Sequence, residues 1–172
     1  MTGSAAADRE PDPESVARAI ALRLLTGAPR SRQQLAEAMA RRDVPDDVAE
    51  RVLDRFTEVG LVDDADYARM LVRSRRESRG LARRALAVEL SRKGIDAELA
   101  AEALAEVDDE SEEASARDLL RRRWRPGVDP DVQARRLLAM LGRKGYPSGL
   151  SLRLIAEMRD DGGWSDSADA DE

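Results

Sequence analysis

The side chains in this sequence that could do chemistry are arginines and carboxylates, with little else beside them. The 172 residues contain no cysteine and no histidine, against 29 Lys+Arg and 35 Asp+Glu. Zinc sites built on thiolates or imidazoles are excluded, as are disulfides, Cys–His nucleophiles and Ser–His triads. No G-x-x-x-x-G-K-[ST] run occurs, so there is no Walker-type phosphate loop. Adjacent carboxylates stand at Asp108–Asp109 and Glu112–Glu113. Neighbours in sequence point apart on a helix, and such a polar run suits the cap of a following helix better than a Mg²⁺ site. The remaining chemistry is recognition. An arginine fork holds a carboxylate or phosphate by two contacts at once, which a lysine cannot do. The reading is a non-catalytic protein that needs no cofactor and no metal.

The formal charge of −6 conceals where those arginines lie. Residues 1–15 sum to −3, Val107–Glu113 to −5 and Arg159–Glu172 to −5. Between them, Arg69–Lys93 sums to +7 and Ala114–Lys144 to +6. Blocks of this kind create local fields that bind a polyanion or an acidic protein face although the whole chain is acidic. Only Lys93 and Lys144 are lysines, so an arginine-favouring genome would produce the same counts. What argues for use is the clustering of the arginines on helix faces.

Those faces belong to an all-α chain. Aromatics make up only 3%, and the composition leans on helix formers. Start and stop signals predict nine helices and no strand. Asp12–Pro13 opens the first, which Gly27 and Pro29 close; Ser31-x-x-Gln34 is a capping box for a second ending near Arg42. Pro45 starts a third that Gly60 stops, and Asp63–Asp64 introduces a fourth that breaks at Ser78–Gly80. A fifth runs to Gly94 and a sixth from about Asp96 to Val107. The acidic run with Ser111 precedes a seventh that Pro126–Gly127 halts. Asp129–Pro130 opens an eighth ended by Gly145, and the ninth covers about Ser148 to Arg159.

Three segments are copies of one another at a spacing of 51 residues. Leu35, Met39, Arg42, Val44, Val48 and Leu53 correspond to Leu86, Leu90, Lys93, Ile95, Leu99 and Leu104. The third set is Leu137, Leu141, Lys144, Tyr146, Leu150 and Ile155. The turn residue is Asp43 in the first copy and Gly94 or Gly145 in the others, where a left-handed backbone costs glycine nothing. Each three-helix unit is too small to hold much core alone, so neighbours are expected to stack into an elongated, curved array. The repeats are placed at 13–62, 63–108 and 109–159, between polar tails at 1–12 and 160–172. The acidic second tail, which carries Trp164, has two readings: a solubiliser, or a segment that folds back on a basic block and competes with an anionic partner.

On the helical wheel of the fourth helix, Tyr67, Met70, Leu71 and Ser74 share one arc, with Arg69, Arg73 and Arg76 opposite. In the eighth, Ala134, Leu137, Leu138 and Leu141 face inward and Arg135, Arg136 and Arg143 outward. Trp124 is expected to anchor the core. With Arg79, Arg83, Arg84, Lys93, Arg121, Arg122 and Lys144, these outward cations are the candidate contacts for a partner or for DNA.

The order of motifs resembles one family. The run Leu61-Val62-Asp63-Asp64-Ala65-Asp66-Tyr67-Ala68 leads to Arg75, Arg79–Gly80 and Leu86, and then to Glu89-Leu90-Ser91-Arg92-Lys93-Gly94-Ile95. Leu141-Gly142-Arg143-Lys144-Gly145-Tyr146 repeats the Lys-Gly-aromatic element. From Ala17 to Met158 this is similar to the RecX regulatory proteins. The resemblance implies nine helices in three tandem repeats and a modulator of the RecA recombinase. Such a protein binds RecA and lies along its nucleoprotein filament, suppressing ATP hydrolysis and strand exchange in DNA repair and recombination. Direct contact with single-stranded DNA is left open, and the chain is expected to act as a monomer. Asp43 in place of glycine and the acidic tails depart from the family pattern.

A DNA-binding transcription regulator is the competing reading. Ser31–Asp64 is close to the recognition half of a winged-helix module, but such a module needs a β-wing where this chain continues into the Asp64–Arg76 helix. No stretch approaches eighteen apolar residues, and the acidic start has no apolar core, which points away from membranes and secretion and toward the cytoplasm.

Overall fold

The computed structural model describes residues 12–160. Among them are nine helices and no strand: α1 (Pro13–Gly27), α2 (Arg32–Ala40), α3 (Asp46–Glu58), α4 (Asp64–Arg79), α5 (Arg83–Arg92), α6 (Ala97–Leu104), α7 (Asp109–Arg123), α8 (Pro130–Arg143) and α9 (Ser148–Asp160). The two tail expectations fall largely on residues 1–11 and 161–172, outside the described residues. Asp12 and Asp160 are inside: Asp12 caps α1, and Asp160 ends α9.

The starts follow from side chains that accept the first free amide protons of a helix. Asp12, Asp96, Asp108 and Asp129 accept from the backbone of Ser15, Glu98, Ser111 and Val132 respectively. Ser31 and Gln34 form the complete capping box. Two boundaries differ from the sequence reading. α7 begins at Asp109 rather than after the acidic run, because Asp108 is the cap and the acids form the first turn, where they face the positive helix end. α6 stops at Leu104, so Val107 is a buried residue of the connection rather than of the helix.

The chain forms two compact units. The first runs through Tyr67 and takes in Lys93–Ile95. Its core is built on Ala17, Ala21, Leu35, Met39, Val48, Val52, Leu53 and Phe56, from the mutually packed α1, α2 and α3. Leu35, Met39 and Leu53 are fully enclosed, each contributing on the order of 1.5–3 kcal/mol of burial. The second unit holds Ala68–Arg92 and the residues from Asp96 onward. Within it α5 packs on α6, while α7, α8 and α9 pack together around Ala116, Leu120, Leu137, Leu141, Leu154, Ile155 and Met158.

Most of the repeated apolar positions are buried, with three exceptions: Leu99, Leu104 and Leu150 are half-buried. In α6 it is Ala103 that is enclosed. Trp124 is also a correction. It follows the last residue of α7 in extended backbone and lies half-buried against the α7–α9 core rather than anchoring it.

The repeated turn does more than reverse the chain. In the second unit the Lys144 carbonyl accepts the Ala82 N–H at 2.9 Å, and the Tyr146 hydroxyl donates to the Gly80 carbonyl at 3.1 Å. Gly145 has φ +88°, and a Cβ there would lie 2.6 Å from the Ala85 backbone nitrogen. Both the backbone conformation and the close approach therefore demand glycine. Burial pushes the Tyr146 phenol up to about 12, with the nearby Glu112 carboxylate acting in the same sense. In the first unit the Lys93 carbonyl likewise accepts, at 2.6 Å, from the hydroxyl of the fully buried Ser31. Ser31 and Ala82 occupy equivalent repeat positions, 51 residues apart. Asp43 holds the first copy of the turn at φ 57°, a left-handed conformation that aspartate tolerates better than most residues.

Candidate partner interface

On α4, Arg69 and Arg73 are exposed as the wheel predicts, but Arg76 and Ser74 are not where it puts them. Ser74 is exposed, and Arg76 is half-buried and turned to α7. The Arg76 guanidinium donates to the Ser111 hydroxyl and carbonyl, both at 3.3 Å, and to the Ser115 hydroxyl at 3.2 Å. The buried positions of the helix are Tyr67, Ala68, Leu71 and Val72. An arginine beside that face has hydroxyls within reach and uses them.

Several other candidates also serve the fold. The Arg83 guanidinium donates to the Val107 carbonyl and, at 3.3 Å, to Asp109, while its backbone N–H donates to Glu112 at 2.7 Å. Arg122 is paired with Asp118 one turn earlier. Lys93 is half-buried in the first unit. The Lys144 ammonium donates to the Arg79 carbonyl at the last turn of α4, where a cation opposes the helix dipole. Arg84, Arg121, Arg135, Arg136 and Arg143 are exposed, as is Arg79. The inward and outward assignment for α8 stands, with Leu137 and Leu141 buried and the three arginines outside.

One cluster of these residues forms a concave site. A cleft of about 440 Å³ is lined by Arg123, Arg136, Leu137, Ala139, Met140 and Arg143. Arg136, Ala139, Met140 and Arg143 follow one another at helical spacing, so they share a face of α8, and Arg123 closes the cleft from the end of α7. Burial holds the neighbouring Lys144 ammonium below its ordinary value, and the positive charges of Arg123 and Arg79 depress it further. Five cations thus gather in one locality. The guanidinium groups of Arg79, Arg123, Arg136 and Arg143 make no ion pair or hydrogen bond among the described residues. Sequence reasoning missed Arg123. It stands beside Arg121 and Arg122 in one run at the end of α7, where helix spacing does not tell which of the three faces α8.

The acidic pairs have structural employment. Asp108 caps α7, and Glu112 is buried against the Arg83 amide. Glu113 accepts from Arg117 at 2.8 Å and Arg153 at 2.6 Å, and these two guanidinium groups hold its carboxyl down at about 2. No helix among the described residues is long and apolar enough to cross a membrane. After Gly60 the chain passes directly into α4, with no strand where a wing would stand.

The class defined by this architecture is an all-helical protein of tandem three-helix units with arginine-rich outer faces. Two family models match it, "RecX, first three-helix domain" over residues 17–56 and "RecX, second three-helix domain" over residues 63–104. Regulatory protein RecX of Streptomyces coelicolor is 51% identical over 154 residues, covering 88% of this chain and 82% of that protein. Regulatory protein RecX of Thermobifida fusca is 53% identical over 143 residues, covering 82% and 77%. The crystal structure of RecX from Lactobacillus salivarius superposes with a TM-score of 0.75 at 21% identity, covering 86% of this chain and 97% of that one, a likeness of fold. The chain belongs to the RecX family of regulatory proteins.

Proposed function

We propose that this chain acts without catalysis of its own, binding the RecA recombinase on its nucleoprotein filament and suppressing ATP hydrolysis and strand exchange. The observation that carries the reading is the 51% identity to a regulatory protein RecX across 88% of the chain. The exposed arginines support it, because Arg73 and Arg84 in one basic block and Arg136 and Arg143 in the other are open to an anionic partner. We take the repeats at 13–62, 63–108 and 109–159 as the binding units, and a monomer in the cytoplasm as the acting form. The contact is electrostatic and steric, with arginine forks meeting phosphates or carboxylates of the filament.

The test is RecA ATPase activity on single-stranded DNA, with the full chain titrated in. Unaltered protein is expected to inhibit. R73E/R84E and R136E/R143E are expected to lose inhibition while keeping far-UV helicity, since none of the four side chains is bonded to another of the described residues. Full inhibition by both variants would refute the assignment of these faces. Failure of the unaltered chain to inhibit, or to be retained by ATP-loaded RecA on single-stranded DNA, would refute the RecA reading itself.

A further inference from the structure

The cleft at Arg123, Arg136 and Arg143 gathers guanidinium groups from two helices, and no acid lines it. Its exposed lining is as much polar as apolar, because Leu137 belongs to the buried core and leaves Ala139 and Met140 between the arginines. Such a cleft is suited to an anion and not to a hydrophobic group. Elsewhere in the same unit arginines have acids at hand: Arg75 is paired with Glu89, Arg117 with Glu113 and Arg122 with Asp118. Around the cleft the cations meet one another instead. Lys144 lies near enough to Arg123 and Arg79 for their charges to disfavour its ammonium form, in addition to its own burial. Like charges gathered at one place repel and raise the energy of the fold, and an anion seated among them relieves that repulsion.

The spacing and volume bear on which anion. Arg136 and Arg143 are two turns apart on α8, about 10 Å along its axis at about 1.5 Å per residue. A ligand that meets both must carry charge at more than one point. A peptide delivers one carboxylate per side chain and brings stem and backbone with it, so a cleft of about 440 Å³ admits few of them. Linked phosphate groups carry charge on every group, and each presents several strong acceptor oxygens to an arginine fork. We propose that this cleft is a site for linked phosphate groups, with Arg123, Arg136 and Arg143 taking the phosphate oxygens and Arg79 and Lys144 adding their field. The chemistry is the same whether the phosphates belong to a nucleic-acid strand or to a small free compound. The inference deepens the proposed function: it rests on the reading of Arg136 and Arg143 as contacts for an anionic partner, and names phosphate rather than carboxylate as what they meet.

The test uses the full chain without RecA and follows its thermal midpoint at constant ionic strength. Pyrophosphate is compared with citrate, which carries nearly the same charge on carboxylates alone. Pyrophosphate is expected to raise the midpoint to a plateau, as a ligand of the folded state does. Citrate should need a concentration about tenfold higher for the same rise. R136Q/R143Q, and separately R123Q, should abolish the rise while keeping far-UV helicity, since all three side chains are exposed. Without added anion neither variant should lower the midpoint, because each removes a repelling charge. R73Q/R84Q alters exposed arginines outside the cleft and should keep the full rise. Equal action of citrate and pyrophosphate, or an undiminished rise in R136Q/R143Q, would overturn the proposal. If pyrophosphate does nothing while R136E/R143E still loses inhibition of RecA, the phosphate site falls and the RecA reading stands. Fluorescein-labelled dT20 separates the sources: displacement by pyrophosphate and loss of binding in R136Q/R143Q identify a strand, and pyrophosphate binding without dT20 binding identifies a small free compound.

Discussion

Replacing Gly145 by alanine tests whether the repeated turn docks on the helix junction before it or merely reverses the chain. Two costs add. Gly145 sits at φ +88°, and a left-handed backbone disfavours an L side chain by about 1–2 kcal/mol. The new methyl would also meet the Ala85 backbone nitrogen at 2.6 Å and the Ala85 Cβ at 2.8 Å, a collision that no side-chain rotation relieves. The turn must back away, weakening the Lys144–Ala82 and Tyr146–Gly80 hydrogen bonds, each a contribution of about 0.5–1.5 kcal/mol. Together these give about 2–5 kcal/mol. Gly127 is the control: its φ is +82°, but nothing lies within 4 Å of a Cβ built there, so G127A should cost only the backbone share of about 1–2 kcal/mol. Urea unfolding followed at 222 nm gives both values in the same unit of the protein. If G145A and G127A agree within about 0.5 kcal/mol, the spread of an unremarkable surface substitution, the docking argument is refuted.

Three further outcomes follow from particular contacts. R76Q should lower the thermal midpoint by the equivalent of about 1–2 kcal/mol, because Arg76 bonds Ser111 and Ser115, whereas R73Q should leave it unchanged. S31A removes a helix cap together with the buried hydroxyl bond to the Lys93 carbonyl, and should cost about 1–2 kcal/mol in urea. Arg153 and Arg117 depress Glu113 from its ordinary 4.5 to about 2. Its folded form therefore binds its proton less readily than the unfolded chain, so its contribution is full above pH 4.5 and is lost as the pH falls toward 2. Thermal midpoints of the unaltered chain and E113Q should differ at pH 6 and converge near pH 2; a constant offset would refute the link.

The helices were legible because their ends carry local signals: aspartates before α1, α6 and α8, a serine–glutamine box before α2, and proline at the start of α1 and α8. The 51-residue repeat was legible because most of its apolar positions are buried in each copy, and burial keeps such positions apolar. What escaped was the fate of individual arginines. A wheel sorts residues by angle alone, and Arg76 lies at an angle where solvent and the α7 serines are both within reach of a long side chain. Arg83, Arg122 and Lys144 were chosen as contacts because they lie in the basic blocks, yet they are occupied by Val107 and Asp109, by Asp118, and by the end of α4. Arg123 was passed over because helix spacing says nothing about what faces a helix end across the following loop. Cation counts locate a basic region. Deciding which cations remain available requires the acceptors around them.

The bond between Ser31 and Lys93 has a consequence for synthesis. A nascent chain leaves the ribosome from its N-terminus, and the first unit can lay down α1, α2 and α3 early. The acceptor for its buried serine hydroxyl, however, is made 62 positions later. Until then that hydroxyl must stay with water, and the junction ahead of α2 waits open. The three-helix piece is thus finished by its successor, and a fragment cut at Val62 would be left permanently at this unsealed stage.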